Sequence, residues 1–559
     1  MDKYILLAIL SLAVLLRVLF IHQYPNGFTP DEASFGYDAY SILHTGRDQW
    51  GRFLPLVLES FGDFKAPLYA YLLVPFVAFF GLEVWVVRLP NALLSVFAVL
   101  VTYFLIKHIR MNYLKSHNLD KFKVELLASF LLAVSPWHVQ LSRGAFEANL
   151  TSFFMPLGIL LFLKGLENYK FLLLSAFVFG LNLFTYHAAR FVTPIVVGIL
   201  VMFFLKKLIK VNLKYLIVSL AVFAIFFLVV VSTFFQGGLK RAQDVSIFRG
   251  ALEAQAEARL KAIQSGLDPT LAKITNNKYL VVARRFKDNY IKYFSKEFLV
   301  TRGPGEATYG MVPGIGVVYF IEVVALIFFV FFAILSKNKM LIFILIFLLI
   351  AVLPAALTMG VGYAANRAAT MLPFIHVASA LGFAYFVSLI KKINNLRYAV
   401  NLSVFILILF VFYQLGLSIQ TYLGNQNDLV AKAMLYGRIE LFEYLNSSIS
   451  ANKVVISRRL SEPHIYLAFV NKIDPLIYQK NAKDWVRYRE EGLTFLDQMY
   501  KYSLGKYTFQ AIESSDFNEL SNGEILVVLP EEMLPNVNLA YETINYPSGE
   551  IAFFIVRTL

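Results

Sequence analysis

The sequence predicts a polytopic α-helical membrane protein that ends in a small soluble α/β domain. Of its 559 residues, 58% are hydrophobic and 16% are charged, whereas an ordinary soluble domain has about 25% charged residues. Several uncharged segments reach the length of about 20 residues that a membrane-spanning helix needs. The clearest of them covers residues 215–239. From about residue 425 the composition changes to that of a soluble domain.

The composition also excludes several kinds of site. The chain has no cysteine, so disulfides, thiolate metal sites and cysteine nucleophiles are ruled out. The net charge of +14 comes from lysines and arginines in short loops between apolar segments, where such residues act as topology signals and contact lipid headgroups. No groove-reading motif accompanies them, so nucleic acid is not predicted as a partner.

The basic residues predict a topology, because short cytoplasmic loops are enriched in Lys and Arg. Lys3 places the N-terminus inside a plasma (inner) membrane, and five short basic loops are then cytoplasmic as well. Only one crossing can lie between the first span and the first of these loops. Residues 66–82 are therefore predicted to lie at the outer face, and 87–106 to form the second span. The basic loops are 107–123, 164–170, 206–214, 337–339 and 391–397.

This reading predicts about 11 spans, with the N-terminus inside and the C-terminus outside. Together they form a membrane domain of residues 1–420, with outer loops at 22–86 and 237–310. The compact lysine-rich loops and the absence of cysteine favour a prokaryotic source. After the span that begins at Tyr4 and the span 87–106, the predicted spans are 124–141, 148–163, 171–188, 191–205, 215–236, 311–335, 340–358, 369–390 and 398–418.

Two soluble parts are predicted outside the membrane. In the loop 237–310, Leu252, Leu260 and Ile263 fall on one helical face, which indicates an amphipathic helix lying against the membrane or the bundle. The domain 425–559 shows no catalytic constellation, so an acceptor-binding or structural role is predicted for it. Its predicted elements are strands at 453–457 and 524–529, a helix at 493–502, and a hairpin of 541–545 with 551–556.

Asp31 and Glu32 are the most informative pair of residues. They follow the first span directly, and two adjacent carboxylates are costly to keep beside a membrane. Such groups can bind a metal ion or take a proton from an acceptor. The topology places them outside, together with the other acidic and histidine-containing segments. This asymmetry predicts an external active site. The polar residues on the same side include His138, Arg143, Glu147, His187, Arg190 and Arg367.

Lys65 and Glu147 each allow two interpretations. Lys65 is explained equally well by binding to a substrate phosphate and by snorkelling to lipid headgroups. Glu147 follows a helix break at Ser135-Pro136 and could join Asp31 as a ligand of a divalent ion such as Mg²⁺, Mn²⁺ or Zn²⁺. Its spacing from Arg143 favours a simpler ion pair one helical turn away.

The remaining candidates are individually weak. His138, His187 and Arg190 fit ordinary interfacial residues, and snorkelling explains Arg17 near the end of the first span. Glu322 lies about 11 residues into an otherwise uncharged span that is predicted to begin near Met311. Acids within the membrane are usually paired or functional, but the sequence does not name the partner of Glu322.

Together these residues resemble a known family of glycosyltransferases, the one that contains the protein O-mannosyltransferases and the bacterial aminoarabinose transferase acting on lipid A. The resemblance covers residues 1–420 and rests on the order and spacing of short motifs; the C-terminal domain adds nothing to it. The matching segments are Pro30-Asp31-Glu32, Lys65-Ala66-Pro67-Leu68-Tyr69, Val87-Arg88-Leu89-Pro90, Ser135-Pro136-Trp137, residues 143–147, and Arg302.

The resemblance implies a GT-C fold with outer-face juxtamembrane helices, and a membrane enzyme that moves a sugar from a polyprenyl-phosphate donor to a protein, lipid or glycan, with inversion. It implies that Asp31 is the general base, with Glu32 as its neighbour. Glu147 stands where the family usually has a second Asp that contacts a metal. Lys65 and Arg302 would bind the donor phosphate, and Arg88, Arg143 and Arg367 are looser candidates.

Two other functions share some of these features. A transporter or flippase for a lipid-linked saccharide would show repeated halves and polar residues at the bilayer midplane, and no internal repeat is found. A transferase that uses a pyrophosphate-linked oligosaccharide would share the outer-face acids and cations. The sequence does not separate it from the first reading by the size of the donor.

Overall fold

The computed structural model describes residues 2–115, 123–233, 246–359, 365–394, 397–447, 451–535 and 539–558. Apolar helices form a bundle in the N-terminal part of the chain, and a six-stranded sheet lies in the C-terminal part. The predicted fold class, a polytopic helical protein with a small C-terminal α/β domain, is confirmed. Five predicted features lie partly outside the described residues: the loops 107–123, 237–310 and 391–397, the span 215–236, and the segment 362–367.

The bundle and its outer loops contain 19 described helices. They are α1 (Asp2–Val18), α2 (Pro30–Thr45), α3 (Leu68–Phe80), α4 (Val84–Tyr113), α5 (Val124–Ala133), α6 (Pro136–Ser142), α7 (Thr151–Gly165), α8 (Lys170–Asn182), α9 (His187–Leu208), α10 (Leu213–Thr233), α11 (Ala251–Gln264), α12 (Pro269–Thr275), α13 (Lys278–Lys292), α14 (Phe320–Ser336), α15 (Lys339–Ala351), α16 (Leu353–Ala356), α17 (Ala365–Ala368), α18 (Phe374–Asn394) and α19 (Arg397–Gly424).

Six described helices are long and apolar enough to cross a membrane, and the number rises to eight if two bent pairs each count as one span. The bent pairs are α5 with α6, at 54°, and 365–371 with 374–390, at 48°. The other three predicted spans correspond to α1, α8 and α14, which have 17, 13 and 17 residues. Each of the eleven predicted spans thus corresponds to a helix or a bent pair. Helix α3, predicted not to cross, has 13 residues, the same length as α8, so helix length alone does not separate the two.

The two ends of the bundle differ in chemistry. At one end the basic loops meet: Asn338 donates to the carbonyl of Tyr113 at 2.7 Å, and the Lys207 ammonium lies 5.3 Å from the centre of the Tyr113 ring. At the other end the predicted outer segments meet, and the His187 imidazole lies 3.1 Å from the carbonyl oxygen of Phe64. The structure therefore separates the lysine-rich loops from the acidic and histidine-containing ones.

The large outer loop is helical where the sequence predicts an amphipathic helix. Helix α11 leaves Leu252, Leu260 and Ile263 exposed. Helix α13 follows after the short α12, and Arg285 on it donates to the backbone carbonyls of Ile247 and Arg249 at 3.1 Å. These bonds tie the beginning of the loop to its middle.

The C-terminal sheet is mixed, with the strand order β4-β5-β3-β6-β8-β7. Strand β3 is parallel to β5 and β6, and the other neighbours are antiparallel. A separate two-stranded ribbon, β1 with β2, lies in the first outer loop. The strands are β1 (Leu58–Glu59), β2 (Phe64–Lys65), β3 (Lys453–Ser457), β4 (Lys501–Leu504), β5 (Tyr507–Gln510), β6 (Glu524–Val528), β7 (Ala540–Asn545) and β8 (Ile551–Arg557).

Short helices pack around this sheet. The α-helices are α20 (Ala431–Ala433), α21 (Arg438–Ser447), α22 (Pro463–Val470), α23 (Pro475–Trp485), α24 (Arg487–Glu490) and α25 (Ser514–Asn518). In the described part of the chain, single 3₁₀ or π turns are Glu147–Leu150, Glu297–Thr301, Ala307–Tyr309, Ala369–Met371, Gln426–Val430, Arg458–Leu460, Leu496–Gln498 and Pro530–Glu532.

The predicted strands at 453–457 and 524–529 and the predicted hairpin are confirmed, but the predicted helix at 493–502 is wrong. This segment holds a 3₁₀ turn and then β4. The reason is a tight turn at Gly505, whose φ of 61° lies in the left-handed region. The turn folds β4 back onto β5, where Tyr502 and Leu504 alternate into the core.

The C-terminal domain packs directly on α2. The Tyr466 hydroxyl donates to the carbonyl of Phe28 at 2.7 Å, and the rings of Phe28 and Phe469 are 5.0 Å apart. A Cβ at Gly36 would lie 2.7 Å from the Phe469 ring, so α2 and α22 approach each other where only glycine fits. Helix α2 is thus held between the bundle and the sheet domain.

Candidate active site

The site is built on the first turn of α2. Thr29 is the N-cap residue, and its hydroxyl accepts from the Glu32 backbone N–H at 3.2 Å. The Glu32 carboxylate in turn accepts from the Thr29 N–H at 3.0 Å, which completes a capping box. Pro30 fits the first helical position, because its missing N–H is not needed there. Asp31 therefore lies at the helix N-terminus, where the backbone dipoles favour a negative charge.

The two adjacent carboxylates have different surroundings. Glu32 is fully buried and bonded to the Arg88 guanidinium, with Nε to Oε1 at 2.9 Å and Nη2 to Oε2 at 3.3 Å. The side chain of Asp31 is 44% exposed. Consecutive helical residues point about 100° apart. Glu32 therefore enters the core, while Asp31 points to the solvent-accessible side. The sequence pair is therefore one structural acid and one accessible acid.

Glu32 and Arg88 also connect the surrounding loops. Arg88 donates further to the carbonyls of Ile21, Pro25 and Gly27, at 3.1, 3.1 and 2.5 Å. Glu32 accepts from the backbone N–H of Ala145 at 3.0 Å, two residues before Glu147. The same buried pair thus positions the end of the first span, the first turn of α2 and the loop that carries Glu147.

Lys65 lies beside Asp31. Its Nζ is 3.2 Å from Asp31 Oδ1 and 3.4 Å from the Asp31 carbonyl oxygen, and it lies 4.3 Å from the centre of the Phe35 ring. The β1–β2 ribbon holds Lys65 in place, and His187 contacts the carbonyl of the preceding residue, Phe64. Lys65 is only 4% exposed. Snorkelling to headgroups is therefore wrong for Lys65, which forms a partly buried ion pair instead.

Glu147 and Tyr309 lie near Asp31 in the same site. Glu147 lies within electrostatic range of Asp31, Lys65 and Asp63. Burial is the main cause that raises the pKa of the Tyr309 hydroxyl well above its usual value, and Asp31 and Glu147 add to this effect. The structure therefore places Asp31, Lys65 and Glu147 within electrostatic range of one another.

The C-terminal domain contributes an acid that sequence reasoning missed. Glu462, at the start of α22, is 3% exposed. Burial, and next the charge of Asp31, raise the pKa of its carboxyl group well above the usual range, while Lys65 acts in the opposite direction. Ser461-Glu462-Pro463 has the composition of an ordinary helix start, so no signal in the sequence marks it.

A polar layer under the site joins α2 to the C-terminal domain. Asp38 accepts from the backbone and side-chain nitrogens of Gln49 at 3.0 and 3.1 Å, and Tyr478 donates to the side chain of Gln49 at 3.1 Å. Burial, and next the charge of Asp48, raise the pKa of Asp38 to about 7. Buried Glu59 accepts from Arg52 of its own loop and from Arg489 and Tyr488 of the C-terminal domain.

Comparison with solved structures finds the same architecture. ArnT from Cupriavidus metallidurans in the apo state matches with a TM-score of 0.52 and 11% identity, over 98% of this chain and 97% of that one. ArnT from the same organism bound to undecaprenyl phosphate matches with a TM-score of 0.50 and 10% identity, over 99% and 96%. The chain has the GT-C fold. The likeness extends over nearly all of both chains, the C-terminal domain included.

Other comparisons add less. The Archaeoglobus fulgidus oligosaccharyltransferase in the apo form matches with a TM-score of 0.48 and 14% identity, over 84% of this chain. This chain spans 63% of the length of that protein, less than two thirds. No protein-family model and no curated protein matches the sequence. At these identities the solved structures show the fold alone.

Within the GT-C fold, Glu32 and Arg88 form a buried pair. This differs from the contact with the donor phosphate that the resemblance implies for Arg88. The Arg88 guanidinium is fully buried and its nitrogens all donate to Glu32 or to backbone carbonyls. It cannot reach a lipid phosphate without breaking the first turn of α2. Glu32 has no exposed surface and bonds to Arg88 and to the backbone N–H groups of Thr29 and Ala145. Both are structural residues.

Arg143 differs from both predictions made for it. It does not pair with Glu147, because the helix that would place them one turn apart ends at Ser142. The Arg143 guanidinium donates to the backbone carbonyls of Leu16 and Leu19 at 2.8 Å, and to two more nearby. It therefore caps the C-terminal end of α1, and Glu147 remains on the side of Asp31.

Two buried polar pairs lie inside the bundle rather than in the site. Arg17 does not snorkel: it is fully buried, with Nη2 at 2.9 Å from His138 Nδ1, while the other ring nitrogen of His138 lies 3.0 Å from the Ser152 hydroxyl. Glu322 has His376 as its partner at 2.7 Å. It lies in the first turn of α14, which begins at Phe320 and not near 311.

The remaining predicted residues lie near the outer end. His187 holds Phe64 and contacts Arg190, which is buried and donates to the Leu183 carbonyl at 3.3 Å. Both are positioning residues. Arg302 is exposed after the π turn Glu297–Thr301, and Arg367 donates to the carbonyl of Met359 at 2.8 Å. Within the described residues, neither arginine is bonded to Asp31 or Lys65.

The predicted metal site at Asp31 and Glu147 does not fit a metal held by protein ligands alone. Nowhere in the described ranges do three or more His, Asp or Glu side chains come together as they do around a bound ion. Divalent ions take several oxygen ligands, and Asp31 Oδ1 already faces the Lys65 ammonium.

We expect Glu32→Gln to destabilise the fold strongly, because it leaves the Arg88 charge buried without a counter-ion. Breaking one partner of a buried pair costs about 3–5 kcal/mol. Thermal unfolding in detergent, followed by circular dichroism, measures the effect. Adding Arg88→Met to Glu32→Gln should recover part of the loss, since no buried charge then remains.

The matched control for this variant is the exposed ion pair between Glu83 and Lys472, at 2.9 Å. Glu83→Gln should cost less than about 1 kcal/mol, as exposed pairs do. Equal losses in Glu32→Gln and Glu83→Gln would show that the buried pair is not a structural centre of the site.

Proposed function

We propose that this protein is a membrane glycosyltransferase that moves a sugar from a polyprenyl-phosphate donor to an acceptor outside the cytoplasm, with inversion at the anomeric carbon. The observation that carries the proposal is the Asp31–Lys65 pair, in which a half-exposed carboxylate and a buried ammonium lie 3.2 Å apart at the outer-loop end of a GT-C bundle. The ArnT structure with undecaprenyl phosphate supports a lipid phosphate as the ligand of this fold.

The two charges suit the two ends of the reaction. The donor leaves behind a lipid phosphate, whose developing charge a fixed cation such as Lys65 stabilises in a site shielded from water. The acceptor hydroxyl or amine must lose a proton as it attacks, and an accessible carboxylate such as Asp31 can take it. With one base and one cation, the acceptor displaces the phosphate directly. A single displacement inverts the anomeric carbon.

The ion pair also gives an order to these events. In the free protein Lys65 neutralises Asp31. A phosphate that binds Lys65 competes with Asp31 for the ammonium, so the carboxylate becomes a stronger proton acceptor when the donor is in place. Arg302, exposed at the same end, is our candidate for a second contact to the phosphate, and Arg367 is a weaker one.

An apolar groove suits the lipid part of the donor. It lies between α14, α18 and α19, with lining residues that include Phe320, Val324, Phe386 and Phe410. It begins at the first residue of α14, close to the outer-loop end. A long isoprenoid chain could lie there while its phosphate reaches the polar site.

The orientation follows from the basic loops. We place the lysine-rich end in the cytoplasm and the Asp31 end outside a prokaryotic inner membrane, because short loops rich in Lys and Arg stay inside. In this proposal residues 1–420 carry the donor site. Residues 425–559 cover it from outside and help to form the space for the acceptor.

The catalytic roles predict that Asp31→Asn lowers sugar transfer about 10²–10⁴-fold, the range that a general base contributes. Lys65→Met should lower it by a similar factor, because the leaving phosphate loses its cation. Purified protein in vesicles, supplied with radiolabelled polyprenyl-phosphate sugars and an acceptor extract, measures the transfer. Lys472→Ala, which removes an exposed lysine, is the control and should keep full activity.

Full transfer by Asp31→Asn would show that Asp31 is not the base. Label that only changes leaflet, without reaching an acceptor, would favour a flippase. Label that is transferred only from pyrophosphate-linked oligosaccharides would favour the oligosaccharide transferase.

The orientation predicts a simple labelling pattern, since the chain has no native cysteine. Phe53→Cys, at a residue 66% exposed beside the site loop, should react with a membrane-impermeant maleimide in intact cells. Asn168→Cys, at the basic end, should react only after permeabilisation. The reverse pattern would place Asp31 in the cytoplasm and contradict the proposal.

A further inference from the structure

Glu462 is an acid of the C-terminal domain that lies near the proposed site. It precedes α22, which is fixed on α2 through the Tyr466–Phe28 hydrogen bond. Because Phe28 is three residues from Asp31, this contact also fixes the distance between the two acids. Glu462 lies within electrostatic range of Asp31, Lys65, Asp63 and Asp497.

The carboxyl group of Glu462 has no bond that explains its burial. It is 3% exposed, and among the described residues only burial and neighbouring charges, and no hydrogen bond, act on its carboxyl group. Its oxygens are not among the fully enclosed polar atoms without a partner, so they border open space. A buried polar group without a partner is costly. Such a group is usually satisfied by water or by a ligand.

The backbone at Glu462 is also held in an unusual conformation. Ser461 and Glu462 have φ values of 58° and 53°, so two consecutive residues other than glycine adopt the left-handed region. Residues in this region persist only where the surrounding structure enforces them, and they cluster at functional sites. Here the conformation turns the chain from the 3₁₀ turn Arg458–Leu460 into α22, with Glu462 at the turn.

Resting on the function proposed above, we infer that Glu462 hydrogen-bonds a hydroxyl group of the transferred sugar, so that the C-terminal domain helps to select the donor. The sugar is attached directly to the phosphate, so a phosphate at Lys65 brings the sugar ring beside Lys65 and Asp31. Glu462 is a carboxyl group within electrostatic range of both residues. A sugar hydroxyl supplies the partner that Glu462 lacks.

The protonation of Glu462 agrees with this role. Burial and the negative charge of Asp31 both favour the neutral acid. A neutral carboxyl group is both a hydrogen-bond donor and an acceptor, and it does not compete with Asp31 for the acceptor proton. Glutamine has the same shape and can also donate and accept, so Glu462→Gln is the conservative variant and Glu462→Ala the disruptive one.

The test combines variants of Glu462 with donor analogues that each lack one hydroxyl group. Wild type, Glu462→Ala and Glu462→Gln are assayed with the preferred polyprenyl-phosphate sugar and with its analogues that each lack one hydroxyl. In wild type, removal of the contacted hydroxyl should lower kcat/KM about tenfold. In Glu462→Ala the same removal should cause no further loss, whereas Glu462→Gln should behave nearly as wild type. Glu490→Gln, an exposed acid of the same domain, should leave every ratio unchanged.

The results separate the two claims. If wild type uses no polyprenyl-phosphate sugar, the proposed function fails, and this inference fails with it. Suppose instead that wild type is active and that removing each hydroxyl lowers kcat/KM by the same factor in wild type and in Glu462→Ala. The sugar contact alone is then wrong, because a purely structural residue would lower all rates together. Thermal unfolding of each variant, expected to stay close to wild type for Glu462→Gln, shows whether the fold is intact.

Discussion

The geometry of the outer site depends on one buried ion pair, Glu32 with Arg88. A carboxylate and a guanidinium that are both fully buried need nearly all of their hydrogen-bonding groups satisfied, and here the pair and its partners come from four segments of chain. The first turn of α2 and the start of α4 supply Glu32 and Arg88, and the segment after the first span and the loop before Glu147 bond to them. None of these segments can move alone.

This constraint explains why two adjacent acids have separate tasks. The capping box requires Glu at the third helical position, and there its side chain turns back into the core. Asp31, one position earlier, then points to the solvent-accessible side, next to Lys65. The C-terminal domain closes the other side, since Tyr466 binds the carbonyl of Phe28 just before the cap. The proposed catalytic residue, Asp31, directly precedes the structural residue, Glu32. The bonds that fix Glu32 therefore also fix the position of Asp31.

Sequence reasoning identified the parts of the site that lie near one another along the chain or share a type of loop. The helical positions of the bundle followed from apolar length, and the convergence of Asp31, Lys65 and Glu147 followed from charge distribution between loops. It failed where a break in a helix changed the geometry: Arg143 and Glu147 are four residues apart, but the helix ends at Ser142, before both of them. It also failed for Glu322, because an apolar stretch does not show where its helix begins.

Contacts between distant segments had no local signal at all. Arg88 and Glu32 are 56 residues apart, and Arg88 in the sequence is one of several arginines near a span end. Glu462 lies near the site only because the sheet domain packs on α2. In the sequence it is simply an acid before the proline that begins a helix, which does not indicate a site. Tertiary packing decides which of many charged residues are buried pairs and which remain accessible.

The account is tested most directly by a structure of the protein with a polyprenyl phosphate bound. We expect the phosphate within hydrogen-bond distance of the Lys65 ammonium, a longer distance between Lys65 and Asp31 than the 3.2 Å of the free protein, and an unchanged Glu32–Arg88 pair. A phosphate bound at the lysine-rich end of the bundle, with the Asp31–Lys65 pair intact, would contradict the central claim.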